Sequence, residues 1–421
     1  MRLKMRILSS LMVISMAIQC VGLTVSAANV QQISANEIES VYEGDVDSNS
    51  WEKWPDGPKI YSEAGIVMDM DSGAILYAKN IDDQHYPASI TKIMTIYLGT
   101  QDESILDNYY SASDEAIKAV PRDTSNIALD FGEEIKLKDA LHAAMLMSAN
   151  DACNLVAEAV SGSMEKFVAL MNSTAKTFGA RNTSFANANG LTDKNHYTTA
   201  YDFAVITKEA LKSEAFKKVF CSMEYTIKPT NKNDEERNFV AQHRMMHQAK
   251  YNHLGVAGGK NGFTSEASYT LVTYGKKEGK ELICVILKSP AFNSVYADTE
   301  KLLEYGYKNF TRSVIKAEEV EQHKEGRKIY TAVGEAEFLL DNQYEKDCLV
   351  TAFKDGAFQI KTPDGTVLGQ LEATVESTVS IWRVIWTVIK VIFFVILALF
   401  IGSYILLIIS SNKSRKRRKK K

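Results

Sequence analysis

Residues 268–288 read SYTLVTYGKKEGKELICVILK. Ser268 to Tyr274 and Glu281 to Lys288 are rich in β-branched, aliphatic and aromatic residues, and the polar Lys276 to Gly279 between them ends in a turn-forming glycine. Two antiparallel strands around a tight turn are predicted. The strand pattern already begins at Gly258. Far upstream, Ala64 to Met70 and Ala74 to Lys79 flank Asp71-Ser72-Gly73 and predict a second hairpin. From Ser89 to about Lys218 the apolar spacing is helical, as in Ile93, Met94, Ile96 and Tyr97, then Leu141, Ala144, Met145, Met147 and Met171. Strands therefore come first and last with helices between them. That order argues against a βαβ series and for one antiparallel sheet built from both ends of a domain, with helices packed on it: an α+β fold.

Outside this main domain, expected over residues 58–312, the pattern changes. An amphipathic segment runs from Asp298 to Phe310, and residues 313–377 show short alternating runs such as Lys328 to Val333, Cys348 to Phe353 and Phe358 to Lys361. A small β domain is expected there, holding the main domain away from a membrane. Residues 28–57 are polar and acidic without sustained period and read as a spacer.

The two ends of the chain point to export. Arg2, Lys4 and Arg6 precede an apolar run from Ile7 to about Leu23 and the small-residue site Val25-Ser26-Ala27, so residues 1–27 read as a signal peptide, with a retained anchor as the alternative. Val391 to Ile409 is an apolar run softened only at Gly402, Ser403 and Tyr404, and at 1.5 Å per residue it spans roughly 28 Å. A transmembrane helix is expected over 384–410, with Trp382 and Trp386 at an interface and a basic cytoplasmic tail over 411–421. The tail's eight basic residues are explained by topology and anionic lipid, and a nucleic-acid partner is not. Removing those eight charges and the three of the signal peptide from the net charge of −3 leaves −14 on the exported body.

The cysteines outside the signal peptide, Cys153, Cys221, Cys284 and Cys348, have no C-x-x-C spacing, so no metal site is expected of them. Cys153 and Cys284 lie in apolar patterns and read as buried thiols. His243 and His247 are i, i+4 with no glutamate between them and polar neighbours, which favours a surface pair over a metal site. No cofactor is expected.

Three short patterns carry chemistry. Ser89-Ile90-Thr91-Lys92 follows Pro87-Ala88 at a helix start, and the i, i+3 spacing puts Lys92 one turn from Ser89. A serine hydroxyl needs a base, and a lysine serves when burial lowers its pKa from about 10.4. Alone the pattern means little, because Ser410 to Lys413 repeats it in the tail, Ser34 to Asn36 repeats Ser148-Ala149-Asn150, and Lys277 to Gly279 repeats Lys260-Asn261-Gly262. Their order and context are what count: S-x-x-K at a helix start, S-x-N about sixty residues later in the helical block, and K-x-G entering a strand that is followed by a strand pair. The same three patterns occur together in penicillin-binding proteins and class A β-lactamases.

On these residues the chain resembles the low-molecular-mass penicillin-binding proteins, the serine-type D-Ala-D-Ala carboxypeptidases of the peptidase S11 family. The matching stretches are Pro87 to Thr95, Ser148 to Asn154, Asn189-Gly190-Leu191 with Tyr197 to Asp202, and Gly258 to Thr264, within about residues 57–310. The resemblance implies a β-lactamase-like sheet flanked by helices and an enzyme that removes the terminal D-alanine of peptidoglycan stem peptides. It further implies Ser89 as acylated nucleophile, Lys92 as its base and Ser148 as proton relay. Asn150, Lys260, Asn261, Gly262, Phe263 and Thr264 would bind substrate, with the N–H groups of Ser89 and Phe263 as oxyanion hole. β-Lactam antibiotics would be its inhibitors and the cell membrane its location.

The chain departs from the family in three places. Lys-Asn-Gly stands for the usual Lys-Thr-Gly, Lys288-Ser289-Pro290 follows Leu287 where an arginine for the substrate carboxylate is often found, and the C-terminus carries a true span instead of an amphipathic helix. No E-x-x-L-N segment lies between Ser148 and Lys260, which weakens a β-lactamase reading. The rival from another class is a weakened homologue that binds penicillin or peptidoglycan without turnover.

Overall fold

The computed structural model describes residues 44–418 apart from 327, 343, 345, 364 and 378–380. The signal segment, residues 28–43 of the spacer and residues 419–421 lie outside the described residues, as do the side chains of 347, 377, 381–384 and 410–418. The chain divides into two compact units, one comprising Met1–Ser313, Glu337–Leu349 and Lys361–Gly369, the other Val314–Ala336, Val350–Ile360 and Gln370–Lys421.

The first unit is built on an antiparallel five-stranded sheet. Its strands are β1 (Ala64–Asp69), β2 (Ile75–Lys79), β3 (Val256–Thr264), β4 (Ser268–Lys277) and β5 (Lys280–Ser289), in the order β2-β1-β5-β4-β3. The two predicted hairpins meet where β1 pairs with β5, from Ala64 opposite Leu287 to Asp69 opposite Leu282. The β4–β5 turn closes on Glu278 and Gly279, both at positive φ (52° and 75°), the conformation whose twist suits a two-residue hairpin.

Between β2 and β3 the chain forms α1 (Lys92–Gly99), α2 (Leu137–Leu146), α3 (Asn150–Ser161), α4 (Met164–Phe178), α5 (Ala200–Leu211) and α6 (Glu214–Phe220). Ile66 and Met68 of β1, Val272 and Tyr274 of β4, and Ile283, Val285 and Leu287 of β5 share one buried core with these helices. The opposite face is covered by α7 (Phe292–Asn309), which comes so close that a Cβ on Gly306 would lie 2.7 Å from Leu282 Cδ1 and 3.3 Å from Val67 Cγ1. Burial on both faces explains why β1 and β5 read as nearly continuous apolar runs. Each fully buried aliphatic side chain there contributes about 1.5–3 kcal/mol against the entropy of ordering the chain.

The part of the expected spacer that is described packs on this unit. Trp54 is buried, donates its indole N–H to the Leu76 carbonyl at 2.8 Å and lies 5.1 Å from the Phe310 ring, and Val46 is also buried. The segment reads as a spacer from its polar, aperiodic sequence, and these two apolar residues are what attach its described part.

Mostly within the second unit, β6 (His323–Glu325), β7 (Lys328–Val333), β8 (Val350–Lys354), β9 (Ala357–Lys361) and β10 (Val367–Ser377) form a sheet in the order β6-β7-β10-β9-β8. The rings of His323, Tyr330, Phe353 and Phe358 pack within it at centroid distances of 4.4–6.1 Å. The last element, α8, runs unbroken from Ile381 to Arg418, so the expected span and the start of the basic tail share one helix. Its segment Ile385–Ile409, 25 residues long, reaches a mean hydropathy of 3.0 over an 18-residue window, and none of that window is buried. That helix is long and apolar enough to cross a membrane.

Candidate active site

Ser89 lies in a short 3₁₀ turn, Ala88–Thr91, that runs directly into α1. Ala88, just before it, is held at φ 50°, a conformation that costs a residue with a Cβ about 1–3 kcal/mol and that the surroundings must enforce. Several contacts do so. Thr270 of β4 donates its hydroxyl to the Pro87 carbonyl at 2.9 Å, and Gly190, at φ 89°, brings its backbone against the Ala88 carbonyl with no room for a side chain. Gly262 of β3 approaches as closely: a Cβ there would lie 2.7 Å from Ser89 N and 2.5 Å from Thr270 Oγ1.

One helical turn on, Lys92 is buried and its ammonium meets three oxygens. Nζ lies 3.0 Å from Ser89 Oγ and 2.8 Å from Asn150 Oδ1, and it also donates to the Asn189 carbonyl. Burial lowers its pKa from about 10.5 to about 8, with Cys153 and Asp151 opposing that shift. A neutral Lys92 keeps two N–H donors for Asn150 and Asn189 and turns its lone pair to the Ser89 hydroxyl.

Ser148 and Asn150 come from the junction of α2 and α3. Ser148 is buried at φ 57°, and the Ala149 N–H turns back to the Ala143 carbonyl at 3.2 Å, so the serine sits at a sharp corner between two helices. Asn150 opens α3, its N–H donating to the Ser125 carbonyl at 2.8 Å. The buried carboxylate of Asp151 gathers the same loop, accepting the N–H groups of Ile127 and Leu129 at 3.0–3.1 Å.

Lys260, Asn261, Gly262, Phe263 and Thr264 all lie on β3, an edge strand, with the motif in the strand itself and not at its entrance. Lys260 is buried, donates to the Asn261 carbonyl at 2.8 Å, and has its pKa driven well below the ordinary lysine value by burial and then by the charge of Lys92. Asn261 is half-buried and Phe263 exposed. Thr264 Oγ1 accepts the Ala267 N–H at 3.0 Å and so shapes the β3–β4 turn. The structure thus brings Ser89 together with Lys92, Asn150 and Gly262. Lys288 turns its ammonium to the Glu266 carbonyl instead.

Sequence reasoning missed several positioning residues. Asn189 holds Lys92 through its carbonyl and is itself tied to Asn154 by a side-chain bond of 3.2 Å. His196 is buried, accepts the Ala186 N–H at Nδ1 and therefore donates from Nε2 to Thr91 Oγ1 at 2.8 Å; burial holds its pKa down at about 4, so it is neutral. Cys153 is buried as expected, its thiol pushed up to about 11 by burial and hence neutral, and the four described cysteines are free. The expectation of a surface pair at His243 and His247 is corrected: His243 is buried, bonded to Thr273 Oγ1 at 2.8 Å and edge-on to the Tyr296 ring, while His247 alone is exposed. Polar neighbours in sequence concealed partners that lie 30 and more residues away. Among the described residues one group, His253, Glu300 and Glu304, brings three possible metal-ligand atoms within 4.8 Å of one another, and it includes none of the site residues above.

Residues 52–291 match the peptidase S11 family model, described as D-alanyl-D-alanine carboxypeptidase. The D-alanyl-D-alanine carboxypeptidase DacF of Bacillus subtilis is 34% identical over 252 residues, covering 59% of this chain and 63% of its own length. DacA of Haemophilus influenzae, also named a D-alanyl-D-alanine carboxypeptidase, is 32% identical over 264 residues, covering 60% and 63%. The chain thus matches just under two thirds of the length of these curated relatives. Among solved structures, the Streptomyces K15 DD-transpeptidase superposes with a TM-score of 0.56 at 26% identity over 60% of this chain and 99% of that one. Penicillin-binding protein 5 from Haemophilus influenzae superposes with a TM-score of 0.64 over 77% of this chain and 98% of that one; at 24% identity this likeness speaks for the fold.

Proposed function

The chain belongs to the peptidase S11 family of D-alanyl-D-alanine carboxypeptidases, and from that membership we propose that it removes the terminal D-alanine of peptidoglycan stem peptides through an acyl-enzyme on Ser89. The observation that carries this reading is the 3.0 Å contact between Ser89 Oγ and a buried Lys92 whose pKa is about 8. Neutral Lys92 takes the Ser89 proton as Oγ attacks the carbonyl carbon of the penultimate D-alanine. The oxyanion is received by the N–H groups of Ser89 and Phe263, where Gly262 leaves space beside Ser89 N. Ser148 passes a proton to the departing D-alanine amine, and Lys260, whose pKa the nearby Lys92 charge helps to lower, supplies positive potential at that relay whenever it is protonated. Water then hydrolyses the ester with Lys92 again as base.

A β-lactam presents the same reacting carbonyl and is expected to acylate Ser89 and leave slowly, so penicillins act as inhibitors. Anchoring in the cell membrane is supported by the apolar helix Ile385–Ile409, and the basic residues after it support a catalytic unit outside and a tail in the cytoplasm. The experiment is D-alanine release from a D-Ala-D-Ala peptide by the detergent-solubilised full chain, with Ser89→Ala as control and fluorescent penicillin as a second readout. Release and labelling that both vanish in the variant are expected. Penicillin labelling without release would favour the weakened binding homologue, which the Asn261 departure keeps in view, and release unchanged in Ser89→Ala would exclude Ser89 as nucleophile.

A further inference from the structure

The reaction proposed for Ser89 cuts next to a residue that ends in a carboxylate, and such a group needs a counter-charge that persists at working pH. Lys260 is poorly suited, being buried, already bonded to the Asn261 carbonyl and depressed in pKa. Lys288 is bonded to the Glu266 carbonyl.

A third cation comes from the short turn Arg244–Met246, an element outside the three motifs. Side chains along β3 alternate in direction. A Cβ on Gly258 would meet Phe220 and Cys221, and one on Gly262 would meet Ser89, so these residues and Lys260 face the helices. Gly259, Asn261 and Phe263 face the other way. On that second face His243 stands at the level of Gly259, where a Cβ would lie 2.5 Å from its Cδ2, and bonds to Thr273, which is opposite Gly259. At the level of Phe263 stands its cross-strand partner Tyr269, ring to ring at 4.5 Å, followed by Phe292 at 5.7 Å from Tyr269.

Arg244 is joined to both levels. It follows His243 in the chain, and its guanidinium lies 4.0 Å over the Phe292 ring. Its neighbours thus belong to the Gly259 level and to the Phe263 level of the face that carries Asn261, on a strand that lies at the edge of the sheet. The Phe292 face, a 3.3 Å bond from Nη1 to Asn293 Oδ1 and the backbone bond to the Tyr296 hydroxyl hold it in place. Among the described residues Asn293 is the one hydrogen-bond partner of the guanidinium, which leaves four of its five N–H donors for a ligand. Arginine stays charged throughout the working pH range and presents a fork that fits a carboxylate.

We propose that Arg244 binds the terminal carboxylate of the substrate beside Asn261, so that an arginine from a separate turn makes good the one missing after Leu287. This rests on the reading of Ser89 as the acylated nucleophile. The test compares kcat/KM of the full chain on a peptide ending in D-Ala-D-Ala and on the same peptide ending in D-alaninamide. The wild type prefers the free carboxylate, and Arg244→Ala lowers that preference by about 10- to 100-fold, the range of a hydrogen bond to a charged group. Arg244→Lys restores part of it, since the charge returns without the fork. An unchanged preference in Arg244→Ala, or a parallel fall on both peptides, overturns the proposal while leaving Ser89 in its role. A wild type that neither releases D-alanine nor is acylated by penicillin overturns the reading of the site and this proposal with it.

Discussion

Lys92 Nζ lies 3.0 Å from Ser89 Oγ at the foot of α1, in a pocket dry enough to bring the lysine pKa down to about 8. Only the neutral amine can accept the serine proton, and because burial lowers the pKa, the neutral fraction grows as pH rises through 8. Acylation by penicillin is therefore expected to accelerate about tenfold from pH 6 to pH 7 and to level off above about 8.5. Lys92→Arg, charged at every accessible pH, should abolish it. Second-order acylation rates between pH 6 and 9.5 check this, and a flat or falling profile excludes Lys92 as the base.

Gly190 leaves no space for a side chain against the Ala88 carbonyl, and its φ of 89° adds backbone strain to any substitution. Gly190→Ala is expected to destabilise the protein by about 2–5 kcal/mol and to displace the Ser89 turn. Gly279 is the control: it has a similar φ of 75° but open space around it, so Gly279→Ala should cost only about 1–2 kcal/mol and leave acylation unaltered. Equal losses of thermal stability and labelling in the two variants would show that close approach at Gly190 does not matter.

These two sites differ in how visible they were in the sequence. Ser89 and Lys92 are three residues apart, and the alternating β-rich runs around Glu278-Gly279 give the hairpin directly, because both signals are local. The groups that tune Lys92 are not local: the Asn189 carbonyl is 97 residues away, and the Thr91 to His196 bond spans 105. A backbone carbonyl also carries no residue signature, so the resemblance of Asn189-Gly190-Leu191 to the family marked the stretch without giving its contact with Lys92. His243 misled for the same reason in reverse, since its burial depends on Thr273 and Tyr296, and Arg244 beside it carried no motif at all. Trp54 was legible only as a tryptophan in a polar segment, while its partner Leu76 was out of view.

The helix Ile385–Ile409 is about 37 Å long at 1.5 Å per residue, enough to cross a bilayer, and it leads into eight basic residues. Those charges resist translocation, so the tail is expected inside and the catalytic unit outside. Protease added to intact cells should remove the body and leave an epitope on the tail protected. Loss of the tail epitope in unbroken cells reverses the orientation.

Asn261 stands where the family usually has threonine, on the face of β3 turned away from the helices. A hydroxyl bonded to a carboxylate contributes about 1.5–3 kcal/mol. The asparagine amide can still donate, but it is longer and reaches a different point than a threonine hydroxyl would. Acylation chemistry at Ser89 is untouched by the change, so turnover is expected to be present and slow. Asn261→Thr should then raise kcat/KM for a D-Ala-D-Ala peptide by up to about tenfold, the factor that 1.36 kcal/mol represents. Steady-state kinetics on the two proteins decide it. A large loss on introducing threonine would mean that asparagine is fitted to a site in which the Arg244 guanidinium does most of the holding, and the idea of Asn261 as a weakening change would be abandoned.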